Sequence, residues 1–173
     1  MSTGARTWKW LALATGSLIL ASSVTAKDLP QVRLNADNLD PRPIEDLTRQ
    51  VVSRDYANAW ESLAYALAGN RTDLLEGYFT GWARTNLSNR IADQRRTGIR
   101  TRYVDHGHTL EAIFYSPAGD AMQLRDQARL EIQTFDGDKL IDSEQVTLHY
   151  IVLMTPGADR WLVRDLEVLQ AKE

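Results

Sequence analysis

The chain contains no cysteine. This excludes disulfides, thiolate metal sites, a cysteine nucleophile and lipid attachment through an N-terminal cysteine. With 173 residues, the chain is long enough to bury a core without such staples, so the absence is compatible with export. A basic excess is also missing. The formal net charge is −3, and without Arg6 and Lys9, the cationic residues of the first 26, 18 basic residues face 23 acidic ones, a balance of −5. A mildly acidic domain carries no global electrostatic footprint for nucleic acid, and no nucleic-acid partner is expected. No Gly-rich phosphate loop, Gly-x-Ser-x-Gly elbow or His-Glu-x-x-His helix occurs, and no cofactor is expected. What remains is an ordinary globular balance, 43% hydrophobic and 25% charged, sized for one domain with extensions.

The extensions are at the N-terminus. Arg6 and Lys9 precede an apolar run from Trp10 to about Ala21; small residues follow to Ala26, and Lys27-Asp28 restores charge. This order is that of a secretory signal with cleavage after Ala26. The run is short for a membrane span, which needs about 20 residues, but a retained short anchor remains an alternative. Either way residues 1–26 place the domain outside the cytoplasm, periplasmic or secreted, with any membrane contact limited to that segment. Residues 27–42 lack either hydrophobic period and read as an extended tether closed by Pro41.

The domain proper is expected over 43–170. From Pro43, apolar residues at Ile44, Leu47, Val51, Tyr56, Trp60, Leu63 and Leu67 fall at helical steps, ending at Gly69. A second helix, capped by Asn70 with Asp73 three residues on, carries Leu74, Leu75, Tyr78 and Phe79. A third runs from about Trp82 to Thr97 and stops at Gly98. Its end, with Arg90, Arg95, Arg96, Arg100 and Arg102, is either a solvated face complementing the helix dipole or an anion-binding patch.

Strands follow. Thr101–Ser116 reads as a strand interrupted by a bulge at Gly107. Met122 to Gln133 alternates cleanly, with Leu124, Ala128, Leu130 and Ile132 on one face and Gln123, Arg125, Gln127, Arg129 and Glu131 on the other. Such a sheet is wet on one side and covered on the other. Asp136-Gly137-Asp138 is a hairpin turn, and Ser143–Met154 and Arg160–Leu169 form a last hairpin around Pro156-Gly157. The expected fold is α+β: three N-terminal helices on one face of a curved four-stranded antiparallel sheet, making a cone with a hollow end.

The long first helix, the helices after it, the bulged strand and the Tyr150-Ile151-Val152-Leu153 strand that turns through Pro156-Gly157 into Arg160-Trp161-Leu162-Val163-Arg164-Asp165 resemble the nuclear-transport-factor-2-like superfamily. The resemblance covers about Pro43 to Leu169. It is most similar to the non-catalytic, membrane-proximal branch of the mitochondrial import-motor tether, chloroplast division and type IV secretion assembly proteins, and so implies a domain that binds proteins or lipids. The same fold hosts ketosteroid isomerases, polyketide cyclases and dehydratases, so fold alone does not choose a function.

Candidate residues follow from position. Asp126 is the one polar residue on the apolar face of its strand. It is either beyond the covered sheet and paired with an arginine such as Arg125 or Arg102, or a carboxylate in the cone acting as base or oxyanion donor. Tyr56, Tyr78 or Asp105 could reach it; Asp126, Asp105 and Tyr56 are the catalytic candidates. Tyr56, Trp60, Tyr78, Asp126 and Tyr150 are the ligand-binding candidates if the cone is open. Trp60, Trp82, Trp161, Tyr56 and Tyr150 are otherwise core. His106 and His108 share a face on a regular strand, as a metal pair would, but Gly107 breaks the strand and His149 lies on the other face. Bulge or rim histidines, and no metal, are expected. The reading is an exported or tethered non-enzymatic domain that binds a protein or small apolar ligand, with homodimerisation through the sheet face plausible. The alternative is a cofactor-free isomerase, cyclase or dehydratase.

Overall fold

A computed structural model of the chain describes residues 29–169. The leader expected over residues 1–26, and its expected cleavage after Ala26, lie outside the described residues. Within them the order is β1 (Val32–Asn35), α1 (Asp46–Gly69), a 3-10 turn (Thr72–Leu75), α2 (Gly81–Thr97), β2 (Ile99–Tyr115), β3 (Met122–Asp136), β4 (Lys139–Pro156) and β5 (Trp161–Val168). The fold is α+β, two helices packed on a five-stranded mixed sheet of order β1-β2-β3-β4-β5.

The antiparallel ladder from β2 to β5 forms where alternation and turn residues foretold it. Asp136 pairs with Lys139 across a tight turn whose Gly137 takes φ +57°, a left-handed conformation that suits glycine. On the covered face Met122, Leu124, Ala128 and Leu130 of β3 and Val152 and Met154 of β4 are buried. Against them α1 lays Val52, Tyr56, Trp60, Leu63 and Leu67, at steps of three and four that keep one stripe on one helix face.

Two buried polar side chains fix the helices to the sheet. Asp55 of α1 accepts the Trp161 backbone N–H at 2.8 Å and pairs with Arg54 at 2.8 Å. Gln94 of α2 donates to Leu67 O (3.0 Å) and Asn70 Oδ1 (2.7 Å), while its Oε1 accepts the Thr101 N–H (3.0 Å). One amide thus ties the ends of both helices to the start of β2.

Several expectations require correction. The sheet is open, neither closed nor strongly curled, so the cone does not form. It has a fifth strand: Val32–Asn35, expected within the tether, pairs parallel with His108–Glu111 of β2. The second helix is only the 3-10 turn. Asn70 does not start it but ends α1, in a left-handed conformation (φ 53°) with its N–H returned to Ala66 and Leu67, and Asp73 pairs with Arg71 instead of capping. Helix α1 begins at Asp46, three residues past Pro43, which leaves Leu47 at 72% exposure in its first turn. Trp82, expected in the core, is 70% exposed at the start of α2. The helices also cover only part of the sheet, since β4 is exposed from Lys139 to Gln145.

Among the described residues no helix is long and apolar enough to cross a membrane.

Candidate functional site

The bulge in β2 builds the site. Register shifts between Asp105 and His108, where Gly107 takes φ +115° and its N–H is accepted by Asp105 Oδ1 at 2.7 Å. A residue with a Cβ is strained at that angle, and a Cβ there would meet Gln31 O at 3.3 Å. The extra residue turns His108 onto the covered face, in line with Leu110 and Ala112, and leaves Asp105 at the edge.

His108 therefore lies between two carboxylates. Its Nδ1 is 2.7 Å from Asp126 Oδ2 and its Nε2 is 2.8 Å from Asp105 Oδ2. Tyr56, from α1, donates its hydroxyl to the same Asp126 Oδ2 at 2.8 Å. The side chains of His108 and Asp126 are shut from solvent, and that of Asp105 keeps 14% exposure. The Trp60 ring lies 4.5 Å from the imidazole, centroid to centroid, tilted by 41°; the Tyr56 ring meets it edge-on at 5.6 Å, and Tyr150 stands edge-on to Trp60 at 5.5 Å.

The electrostatics follow from this packing. Burial pulls the His108 imidazole down, but hydrogen bonds to Asp105 and Asp126, and the charges of both, outweigh it and hold the ring up at about 9. His108 is thus an imidazolium at neutral pH, with both ring nitrogens donating. Burial, and then the neighbouring Asp126 charge, pushes the Tyr56 hydroxyl well above the ordinary phenol range, so it stays protonated and donates. Burial raises Tyr150 as well. Asp126 Oδ1 is buried without a hydrogen-bond partner.

Beside this network lies a cleft of about 460 Å³. Trp60, Glu61 and Ala64 of α1 form one wall, Arg102 to Gly107 of β2 the other, and Leu29–Gln31 one end. Asp105 is the point where cleft and network meet.

Of the residues singled out from sequence, the structure brings Tyr56, Trp60, Asp126 and Tyr150 together, with Asp105 joined through His108. Tyr78 is elsewhere, with the Arg160 guanidinium 5.2 Å from its ring centroid. Asp126 is covered by the helices, not beyond them, and its partners are a tyrosine and a histidine, not an arginine. His108 is a core residue, not a rim one, and two carboxylates occupy the nitrogens a metal would need. His106 stays exposed, its carbonyl accepting from Arg129 at 3.0 Å. Among the described residues no group of three or more His, Asp or Glu side chains is placed to hold a metal ion. The arginines are mostly spoken for: Arg90 donates to the Tyr103 hydroxyl (2.6 Å), Arg95 to Asn70 O (3.0 Å), and Arg96 and Arg100 pair with Asp93 (3.0 Å) and Asp138 (2.9 Å). Arg102, by contrast, lines the cleft.

No family model matches the chain, and no curated protein matches it. Solved structures do. The intermembrane-space region of the chloroplast protein ARC6 superposes with a TM-score of 0.63 at 12% identity, over 76% of this chain and all of that one. ActVI-ORFA from Streptomyces coelicolor gives 0.47 at 15% identity, over 67% and 92%, and a cystatin-like protein of unknown function from Nostoc punctiforme gives 0.42 at 8%, over 72% and 92%. The chain therefore shares with the ARC6 region an α+β fold.

Proposed function

We propose that the chain is an exported or membrane-tethered, non-enzymatic domain that binds a partner in the cell envelope. The carrying observation is that the interior carboxylate, Asp126, is shut from solvent. A cofactor-free isomerase or cyclase of the kind considered above needs its carboxylate at the base of an open apolar cavity, reachable by substrate. Here Asp126 is enclosed by Tyr56 and His108 and none of these side chains reaches solvent. Trp60 alone of the ligand-binding candidates borders the cleft. Binding is thus assigned to the cleft beside α1 rather than to the interior. The order of charge, apolar run and small residues over positions 1–26 supports export, and the fold shared with an intermembrane-space region is in keeping with it. Dimerisation through the wet sheet face fits less well, because Arg125, Glu111, Gln127 and Arg129 make that face polar.

The test is purification of the intact exported chain from envelope fractions, with mass spectrometry of what is retained. A stoichiometric partner is expected. A second reading has one observation in its favour: Asp105 borders the cleft and is joined through His108 to Asp126, an arrangement able to hold a proton at the cleft wall. On that reading the purified chain would turn over a carbonyl substrate and Asp105→Asn would abolish the turnover.

A further inference from the structure

Most of the stretch read from sequence as a tether is laid along the outer edge of β2 as a strap over residues 29–42. Its backbone hold is thin. Gln31 O accepts the His108 N–H at 2.8 Å, and Val32–Asn35 then pairs parallel with His108–Glu111. The chain leaves the ladder where the Leu39 N–H meets Ala36 O at 3.3 Å. It returns where Asp40 O accepts the Tyr115 N–H at 3.1 Å and Pro41 bridges to Tyr115. A parallel ladder is slightly weaker per residue than an antiparallel one. This one is four residues long, and β1 is the end strand of its sheet, paired on one side alone.

The side chains add little. Val32, Leu34, Ala36 and Leu39 are half-buried against the core, but no residue from 29 to 45 is buried. Among the described residues, one hydrogen bond runs from a strap side chain to the rest of the domain, Arg42 to Pro117 O at 3.4 Å. The domain is held together without the strap. Strand β2 pairs with β3 from Ile99 to Tyr115, and the Asp55, Gln94 and His108–Asp126 contacts all lie between α1 and β5. A segment with few buried contacts opens at a lower free energy than the whole fold.

We propose that residues 29–42 are a releasable strap, which leaves β2 as one unit while α1 to β5 stay folded. The strap joins residues 1–28 to the domain. Once released, it spans up to about 50 Å, at about 3.3–3.6 Å per extended residue. A pull from residues 1–28 meets the Gln31–His108 hydrogen bond first and opens the ladder one bond at a time. The use of this added reach rests on the tethered reading above. The release itself is a property of the fold.

The test is native-state amide hydrogen exchange on the purified full chain across low urea concentrations. The His108 and Tyr115 amides are expected to share one opening equilibrium. After correction for intrinsic rates they should exchange about a hundredfold or more faster than the β3 amides from 124 to 130. A cross-link supplies the control. Arg33 and Thr109 are exposed partners in the ladder, and the chain has no cysteine, so Arg33→Cys with Thr109→Cys gives one disulfide on oxidation. The oxidised form should slow exchange at both His108 and Tyr115 by about tenfold or more, and reduction should restore it. Exchange of the two amides only together with β3, openings of unlike size at the two, or indifference to the cross-link would overturn the proposal. Recovery of the exported chain free of any membrane would remove the tethering use and leave the release standing.

Discussion

His108 Nδ1 lies 2.7 Å from Asp126 Oδ2, and neither side chain has any solvent-accessible surface. An ion pair so enclosed stabilises only while both partners are present. Removing His108 strands the Asp126 charge in the core, at a cost of about 3–5 kcal/mol, whereas removing Asp126 leaves His108 with Asp105 alone. His108→Leu is expected to lower the unfolding free energy by that order, and Asp126→Leu by less. The double variant should lose less than the sum of the two, because no unpaired charge is left between positions 108 and 126, while Asp105 keeps its 14% exposure to water. A double-mutant cycle by chemical denaturation measures this, and additive losses would refute the pairing.

The pH dependence has a definite sign. His108 is raised from 6.5 to about 9 in the folded chain. A raised basic group contributes stability that is fully present below the unfolded value, about 6.5, and is lost as pH rises through the folded value, about 9. The chain should therefore weaken between about pH 6.5 and 9, by on the order of 3 kcal/mol at most. Urea midpoints across that range read the slope, and His108→Gln should flatten it.

Gln94 is the amide that joins both helices to β2. Gln94→Ala leaves the half-buried Thr101 N–H without its acceptor, at a cost of about 1–3 kcal/mol, and takes one of two donors from the Leu67 carbonyl, which keeps the Asn70 N–H. A loss of that order in a thermal or urea melt is expected. Gln94→Glu keeps the acceptor for Thr101 but sets a carboxylate against Leu67 O, and should be no milder.

Trp82 supplies a contrast. At 70% exposure its replacement by alanine should change stability by less than about 0.5 kcal/mol. Trp60→Ala removes the ring packed against His108, Tyr103 and Tyr150 and should cost about 3–5 kcal/mol. Melting temperatures of the two variants separate a surface tryptophan from a core one.

That contrast marks what was legible in the sequence. Alternation in β3, the turn at Asp136–Asp138 and the stop at Gly98 are local signals, and the elements they announce formed. The parallel strand β1 was not legible, because four residues after a proline carry too little periodicity and their pairing is a long-range docking onto β2. The second helix failed because Asn70, in its left-handed conformation, serves α1 and leaves too few residues for more than a 3-10 turn. Trp82 misled because an aromatic at a helix start has the right residue type and the wrong face. Asp126 was conspicuous as the polar residue on an apolar face, and Tyr56 was a partner within reach. His108 was missed, although its parity with Leu110 and Ala112 beyond the bulge placed it inside.

A charged network of His108, Asp126 and Asp105, its first two side chains shut from solvent, stands where a catalytic cavity would lie. The direct measurement is nitrogen-15 NMR of the His108 ring in the purified full chain at neutral pH. The prediction is two resolved ring N–H protons in slow exchange with water, the signature of an enclosed imidazolium held by Asp105 and Asp126. A neutral ring titrating near 6.5, with protons exchanging freely, would mean that the interior is open and the network is not as described.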